Sequence, residues 1–141
     1  MISYRVKIVP DEETFLVTSP DFPEVTTFGD SVEDALGYAV GAFEEAIAGR
    51  IHHKEPIPAP SKIRAKDYVV TLPLQTAMKV QLYQSLGESG MKKAELARAL
   101  NLHRQEIDRL LDFKQSTSIG KIEAAFAALG KQLKIEVADA P

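Results

Sequence analysis

Residues 93–112 restrict the fold of this chain more than any other stretch of its sequence. Their apolar residues have the spacing of two short helices that meet through their inner faces: Leu96, Leu100, Leu102, Ile107 and Leu110. Ala97 is small enough to lie where two helices cross, and Asn101 tolerates the left-handed backbone that a tight turn between them requires. The stretch is therefore predicted to be a helix-turn-helix, with helices at residues 92–100 and 103–113.

This register places a polar set on the outer face of the second helix, the face that meets base edges in DNA-binding proteins with this motif. The set is His103, Arg104, Gln105, Asp108 and Arg109. Arg can donate two hydrogen bonds to guanine and Gln can pair similarly with adenine, so Arg104, Gln105 and Arg109 are the expected readers. The expected phosphate contacts are Lys92, Lys93, Lys114, Ser116 and Thr117. Short amphipathic helices with a central Ala also occur in protein-binding bundles, and that alternative stays open.

The helix-turn-helix belongs to the second of two predicted domains, which divide the 141 residues into 1–72 and 73–141. One apolar series predicts a helix from Pro73, and another predicts a last helix that ends at Gly130. The two series are Leu74, Met78, Leu82 and Leu86, and Ile119, Ile122, Phe126 and Leu129. Residues 132–137 then alternate between polar and apolar, which predicts a short C-terminal strand. Because such a strand is too short to be stable alone, we expect it to pair with a second copy in a homodimer.

The first domain has the pattern of a small sheet with one helix. Alternating apolar residues predict three strands at residues 2–9, 14–18 and 25–28, with a hairpin tip at 11–13 between the first two. A fourth strand is predicted at residues 68–72. The fold class is α+β, with the order β-β-β-α-β followed by an all-α domain.

The helix of the first domain is predicted to begin after Ser31, which together with Asp34 resembles a capping box, and to end at Gly49. Its predicted buried stripe is Val32, Ala35, Leu36, Ala39, Val40, Phe43 and Ile47. The connection at residues 50–66 carries Pro56, Pro58 and Pro60, and alternate prolines favour an extended backbone over a helix.

Charge differs between the two predicted domains. Residues 1–72 hold 7 basic and 12 acidic residues, whereas residues 73–141 hold 10 and 8. The domain with the helix-turn-helix is the basic one, and the first domain offers an acidic surface to a basic partner. No cysteine is present, which rules out disulfides and zinc fingers and favours a reducing compartment. Because the sequence has neither a signal-peptide pattern nor a run of roughly 18 apolar residues, we expect a cytoplasmic location.

Catalysis is not supported by the pattern of ionisable residues. Metal-dependent nucleases need several carboxylates that converge from strands, and the predicted first strand has none. The acidic residues lie on predicted loops, where they read as solvated turn residues: Asp11, Glu12, Glu13, Asp21 and Glu24. His52 and His53 would point apart on an extended chain with no third ligand nearby, and Ser31 lacks His and acid partners. We predict a protein that is not an enzyme and that needs no metal or cofactor.

Several motifs occur in an order that resembles HicB antitoxins. They are Pro-Asp-Phe-Pro at residues 20–23, Phe-Gly-Asp-Ser at 28–31, Glu-Asp-Ala at 33–35 and Ile-Pro-Ala-Pro-Ser at 57–61. The resemblance covers nearly the whole chain, and the motif at residues 93–112 indicates the helix-turn-helix (Xre/Cro-like) subclass rather than the ribbon-helix-helix one. It implies a degraded ribonuclease H-like domain that blocks a HicA toxin, an mRNA-cleaving protein with a double-stranded-RNA-binding-like fold. It also implies a C-terminal domain that binds the promoter of its own operon.

The resulting hypothesis is an antitoxin that masks a basic toxin with its first domain and represses its operon, as a dimer, at an inverted-repeat operator. The toxin-contact candidates are Tyr4, Asp11, Glu12, Glu13, Phe15, Asp21 and Phe22. Two other classes stay open. One is a ligand-responsive repressor whose first domain senses a small molecule, and the other is a ribonuclease, which would cleave RNA with a metal ion.

Overall fold

The computed structural model describes residues 1–140, which form four strands and five helices. The strands are β1 (Ser3–Asp11), β2 (Thr14–Thr18), β3 (Thr26–Gly29) and β4 (Tyr68–Thr71). The helices are α1 (Val32–His52), α2 (Leu74–Ser89), α3 (Lys93–Leu100), α4 (Arg104–Leu110) and α5 (Ile119–Ala128). The predicted α+β class is confirmed. Within the described residues, no helix has the length and apolar character that a membrane span requires.

The four strands form one antiparallel sheet in the order β3-β2-β1-β4. β1 pairs with a strand on each side: its Lys7 lies opposite Thr18 of β2, and its Tyr4 lies opposite Val70 of β4. β1 reaches further than predicted, to Asp11, so a carboxylate does lie at the end of this strand. Glu12 has a φ of 55° in the tight turn that follows. A hairpin loop this short requires positive φ, so the strand can continue up to the turn itself.

One face of the sheet is covered by α1, because the side chains that β1 and β2 direct to that face are apolar. Tyr4, Val6 and Val17 are all at most 1% exposed. Phe43 of α1 stacks on Tyr4 with 5.1 Å between the ring centroids, and Phe22 meets both rings edge-on. Of the predicted helix stripe, Ala35, Ala39, Phe43 and Ile47 are buried, whereas Val32, Leu36 and Val40 are partly exposed. The three aromatic rings form the centre of the core.

The junction between β3 and α1 explains one of the motifs. A Cβ atom at Gly29 would lie 2.3 Å from the backbone nitrogen of Ala35, so only glycine fits there. Ser31 Oγ accepts a hydrogen bond from the Asp34 backbone nitrogen at 3.0 Å, and Asp34 Oδ2 accepts one from the Asp30 backbone nitrogen at 2.8 Å. The predicted cap is confirmed, with the return bond reaching one residue before Ser31.

The predicted end of α1 at Gly49 is wrong, because the helix continues to His52. A glycine inside a helix costs about 1 kcal/mol relative to alanine, and the packing of a long helix on the sheet outweighs this cost. His52 and His53 therefore lie at a helix end instead of on an extended chain. Their rings meet edge-to-face with 5.1 Å between the centroids, so the prediction that the two side chains point apart is wrong.

The segment at residues 55–64 has no helix or strand, yet side chains of β1 and of the loop before β3 hold it in place. Tyr4 Oη donates a hydrogen bond to the Pro58 carbonyl at 2.7 Å. Asp21 Oδ2 accepts from both the backbone nitrogen and Oγ of Ser61, and Arg5 Nε donates to the same Oγ. Ile57 is buried. The two proline-containing motifs at residues 20–23 and 57–61 are thus joined physically through Asp21 and Ser61.

The chain divides into two compact units inside α2, the first being Met1–Ala77 and the second beginning at Met78. Four helices contribute the core of the second unit: Leu82, Leu86, Leu96, Ala97, Ile107, Leu110, Leu111, Ile122, Ala125 and Phe126. Two residues of the apolar series that predicted these helices are exposed, Leu74 by 60% and Ile119 by 63%. Each is the first residue of its helix, ahead of the turns that pack.

The predicted strand at residues 132–137 is absent from the single chain, where residues 131–140 have no regular structure. Ile135 and Val137 are each 92% exposed, and Leu133 alone packs partly on the helical core. The four strands of the described residues all belong to the first unit. Without a neighbouring strand, the alternating pattern has nothing with which to pair.

Candidate functional site

The turn between α3 and α4 has the conformation that the sequence predicts. Asn101 adopts φ 54° and ψ 45°, the left-handed region. The Leu102 backbone nitrogen donates to the Ala97 carbonyl at 2.8 Å, which closes the end of α3. Ala97 is 5% exposed and belongs to the helical core. A short, tightly bonded turn therefore joins two helices whose apolar sides are both buried.

The outer side of α4 is polar and exposed. Glu106 Oε2 accepts a hydrogen bond from the backbone nitrogen of His103, so its carboxylate is committed to capping the helix. The side chains predicted to meet DNA are all exposed: His103, Arg104, Gln105, Asp108 and Arg109. Arg104 opens the helix and Arg109 lies in its last turn, so two cations frame the exposed face.

Lys93 and Asp108 form an ion pair, with 2.9 Å between Nζ and Oδ1. Both were predicted to lie at the DNA surface, and the structure brings them together at the start of α3 and on α4. The two side chains are 36% and 55% exposed, so the pair contributes only modestly to stability. It does offset the negative charge of Asp108 on this face.

The remaining predicted phosphate contacts flank α4 on both sides. Lys92 is exposed and immediately precedes α3, while Lys114 and Ser116 are exposed on the segment between α4 and α5. Thr117 is partly exposed on the same segment. The backbone nitrogen of Lys114 donates to Asp112 Oδ1 at 2.9 Å, which orders the start of this connection.

Lys79 is a residue beside the candidate site whose role the sequence interpretation missed. Its side chain is fully buried, and its Nζ donates to the carbonyls of Arg109, Asp112 and Gln115 at 3.1, 2.7 and 2.5 Å. Burial lowers the pKa of this ammonium group, and the charge of Asp112 opposes that shift. The lysine thus fixes the end of α4 and the segment that leads to Ser116. Its position in line with the buried Leu82 and Leu86 of α2 was the available signal, because a cation in an apolar stripe needs partners.

Most of the residues predicted to contact a protein partner have structural roles. Tyr4 and Phe22 are at most 1% exposed, so the structure places them in the core rather than at a surface. Burial raises the pKa of the Tyr4 hydroxyl to about 12. Phe15 is partly buried opposite Pro10 and Gly29, and Asp21 binds Ser61. The hairpin residues Asp11, Glu12 and Glu13 are exposed, as expected.

Arg50 interacts electrostatically with two other groups whose pKa values are shifted, Tyr4 and Glu24. Arg50 Nε and Nη2 donate to the two carboxylate oxygens of Glu24 at 3.0 Å each, which lowers the pKa of Glu24 and raises that of Arg50. Arg50 also lies over the Phe22 ring, with 5.1 Å from Cζ to the centroid. These contacts hold α1 to the loop before β3. Among residues 1–140, no group of three or more His, Asp or Glu side chains is arranged to hold a metal ion.

Comparisons with known proteins identify the family. Residues 3–81, more than half of the chain, match the family model described as a HicB-like antitoxin of bacterial toxin-antitoxin systems. An Antitoxin HicB of Pseudomonas fluorescens (strain Pf0-1) is 34% identical over 97% of this chain and 94% of its own length. An Antitoxin HicB of Escherichia coli (strain K12) is 34% identical over 94% of this chain and 96% of its own. Antitoxin HicB 2 of Photorhabdus laumondii is 37% identical, with 94% of each chain covered. The chain belongs to the HicB antitoxin family of bacterial toxin-antitoxin systems.

Proposed function

We propose that this antitoxin has two activities, one for each unit. The first unit binds and neutralises a HicA-type toxin that cleaves mRNA, and the second unit represses the toxin-antitoxin operon by binding its operator. The observation that carries the proposal is the exposed polar face of α4, which follows α3 after a tight turn, in a chain of the HicB family. An antitoxin with a sequence-reading helix can regulate the synthesis of the toxin that it blocks.

For the second unit, we propose that α3 and α4 are a helix-turn-helix of the Xre/Cro-like subclass. Arg104, Gln105 and Arg109 read bases, while Lys92, Lys114, Ser116 and Thr117 contact phosphates. The unit acts as a homodimer, for which we retain the pairing of residues 132–137 between two copies. A two-fold dimer places two recognition helices about 34 to 36 Å apart, which calls for an inverted-repeat operator.

Operator binding is tested by mobility shift and by titration at several salt concentrations. Arg104→Ala and Arg109→Ala each remove one expected base contact, and we expect each to weaken operator binding by about 1 to 3 kcal/mol and to relax discrimination between sequences. Lys131→Ala removes the same charge from the exposed segment after α5 and serves as the matched control. Equal weakening by all three variants, on operator and random DNA alike, would show that α4 does not read sequence.

For the first unit, we propose a cytoplasmic, non-enzymatic toxin-binding domain related to degraded ribonuclease H-like folds. Support comes from the three-stranded meander followed by a helix, and from membership in an antitoxin family. The test is co-expression with the product of the neighbouring short reading frame, followed by growth rescue and co-purification. Rescue together with a stable complex is the expected result. If the purified chain cleaves RNA with a divalent metal, or neither rescues growth nor forms a complex, the proposal is wrong.

A further inference from the structure

A row of apolar side chains crosses the face of the sheet that α1 does not cover. Val9 of β1 lies opposite Leu16 of β2, and Leu16 lies opposite Phe28 of β3. Val9 and Phe28 are each 48% exposed, and Leu16 is partly exposed. The three residues therefore form one continuous strip across three strands, which we call the open-face strip.

The strip departs from what a sheet with one covered face normally shows. Such a sheet directs polar side chains to water on its second face, and Lys7, Thr18 and Thr26 next to the strip follow that rule. A single exposed apolar residue needs no explanation. A contiguous apolar strip with a polar rim has the composition of a protein-binding surface, in which the centre loses water and the rim stays hydrated.

Charge beside the open-face strip indicates what kind of partner fits. Beside the strip, at the hairpin end of β1 and β2, lie the exposed carboxylates of Asp11, the last residue of β1, and of Glu12 and Glu13 in the turn that follows. Asp30 follows Gly29, which pairs with Phe15, so a fourth exposed carboxylate lies at the same end of the sheet. Two copies of this face would bring like charges together. A protein that cleaves RNA must offer a basic surface to a polyanion, and the acidic end of the strip complements such a surface.

We infer that the open-face strip and its acidic end are the surface on which the toxin docks, through the toxin's own basic RNA-binding face. This inference rests on the proposed function. Phe28, on the edge strand β3, is the main anchor, because an aromatic side chain that is half exposed in the free protein has the most apolar area still to bury. The carboxylates at residues 11–13 guide association with the basic partner.

The inference is tested with the full-length chain and the purified product of the neighbouring short reading frame. Phe28→Ser is compared with Tyr38→Ser, which removes another exposed aromatic ring, one that is 60% exposed on α1. We expect Phe28→Ser to weaken the complex by roughly 30-fold or more, as loss of an interface anchor does, and Tyr38→Ser to change it less than about 3-fold. Circular dichroism melting of both variants checks that the fold is intact. Since Phe28 is half exposed, no loss of structure is expected.

A second variant carries Asp11→Lys and Glu12→Lys together. We expect it to slow association about 10-fold or more at low salt and to reduce the salt dependence of the association rate. If the wild-type chain forms no complex at all, the proposed function is wrong. If the wild type binds and both the Phe28 and the hairpin variants bind equally well, the docking surface lies elsewhere. If Phe28→Ser abolishes self-association but keeps the toxin complex, the occupant is a second copy, and the inference is overturned.

Discussion

Two segments without helix or strand, residues 55–64 and residues 131–140, are held very differently. The first buries Ile57, accepts a hydrogen bond from the Tyr4 hydroxyl at the Pro58 carbonyl, and donates hydrogen bonds from Ser61 to the Asp21 carboxylate. In the second, Ile135 and Val137 are each 92% exposed. The difference shows that prolines do not order a connection by themselves. Side chains elsewhere in the fold must supply its polar partners, as Tyr4 and Asp21 do for residues 55–64.

The largest effect that we expect on this comparison is a fall in the free energy of unfolding at alkaline pH, caused by ionisation of Tyr4. Burial raises its pKa from 10.0 to about 12, so the folded state holds the hydroxyl proton more tightly than the unfolded state. The stabilisation is complete below pH 10 and is lost as pH rises to 12, by roughly 3 kcal/mol at most. Urea unfolding across this range measures it, with Tyr4→Phe as the variant that lacks the ionisable group. Parallel curves for the two proteins would mean that folding does not withdraw this hydroxyl from water beneath residues 55–64.

A somewhat smaller effect is expected for Asp21→Ala. The change leaves the backbone nitrogen and hydroxyl of Ser61 without their acceptor, and we expect a loss of about 2 kcal/mol in the free energy of unfolding. Amide hydrogen exchange at residues 55–64 should speed up as well. Asp139→Ala, which removes a carboxylate from the exposed tail, is the matched control and should change neither quantity. Similar behaviour of the two variants would remove the distinction between the segments.

Arg50→Gln tests the outermost anchor of the proline-containing segment. Arg50 Nη1 donates to the Pro56 carbonyl at 3.2 Å, and the guanidinium pairs with Glu24. Because both side chains reach solvent, we expect Arg50→Gln to lower the free energy of unfolding by only about 0.5 to 1 kcal/mol. The pair lowers the pKa of Glu24, so its contribution is present at neutral pH and disappears as pH falls through that lowered pKa. A double-mutant cycle with Glu24→Gln, at neutral and acidic pH, measures the coupling, and a coupling that grows in acid would contradict this assignment.

Truncation after Leu133 should have the smallest effect on the single chain. Of the residues that it removes, 134–140 are exposed, and it keeps Leu133, which packs partly on the helical core. At concentrations where the protein is monomeric, we expect the free energy of unfolding to change by less than about 0.5 kcal/mol. Sedimentation at higher concentration should show weaker dimerisation than in the full chain. A monomer destabilised by more than about 1 kcal/mol would show that the tail is anchored too.

Local patterns predicted the parts of this fold that depend on local interactions. The strand at residues 14–18, the Ser31 cap and the left-handed turn at Asn101 follow from side-chain alternation, capping and backbone preference. The errors arose where distant residues decide. Gly49 continues a helix because that helix packs on a sheet, and Tyr4 and Phe22 are buried because Phe43 meets them. A short stretch of sequence around one of these residues does not contain its distant partner and therefore cannot show that the residue is buried.

The same limit applies to the candidate surfaces. The exposed set on α4 followed from helical spacing around Ile107 and Leu110. The open-face strip was missed, although Val9 shares the odd-numbered face of β1 with Ser3, Arg5 and Lys7 and is the apolar exception among them. Its neighbours Leu16 and Phe28 become adjacent only through the register of the sheet. Strand pairing, rather than sequence distance, brings this surface together.

Lys79 limits how the proposed reading helix could be exchanged between proteins. The residues that face outward on α4 can be transferred as a short sequence. The carbonyls of Arg109, Asp112 and Gln115, however, accept hydrogen bonds from the Lys79 amine on α2. A graft of residues 93–112 into another scaffold would carry the side chains that we propose to read DNA and would lose the Lys79 amine that binds the carbonyls behind them. For engineering a new operator preference, the smallest portable module is therefore the helical unit that includes α2.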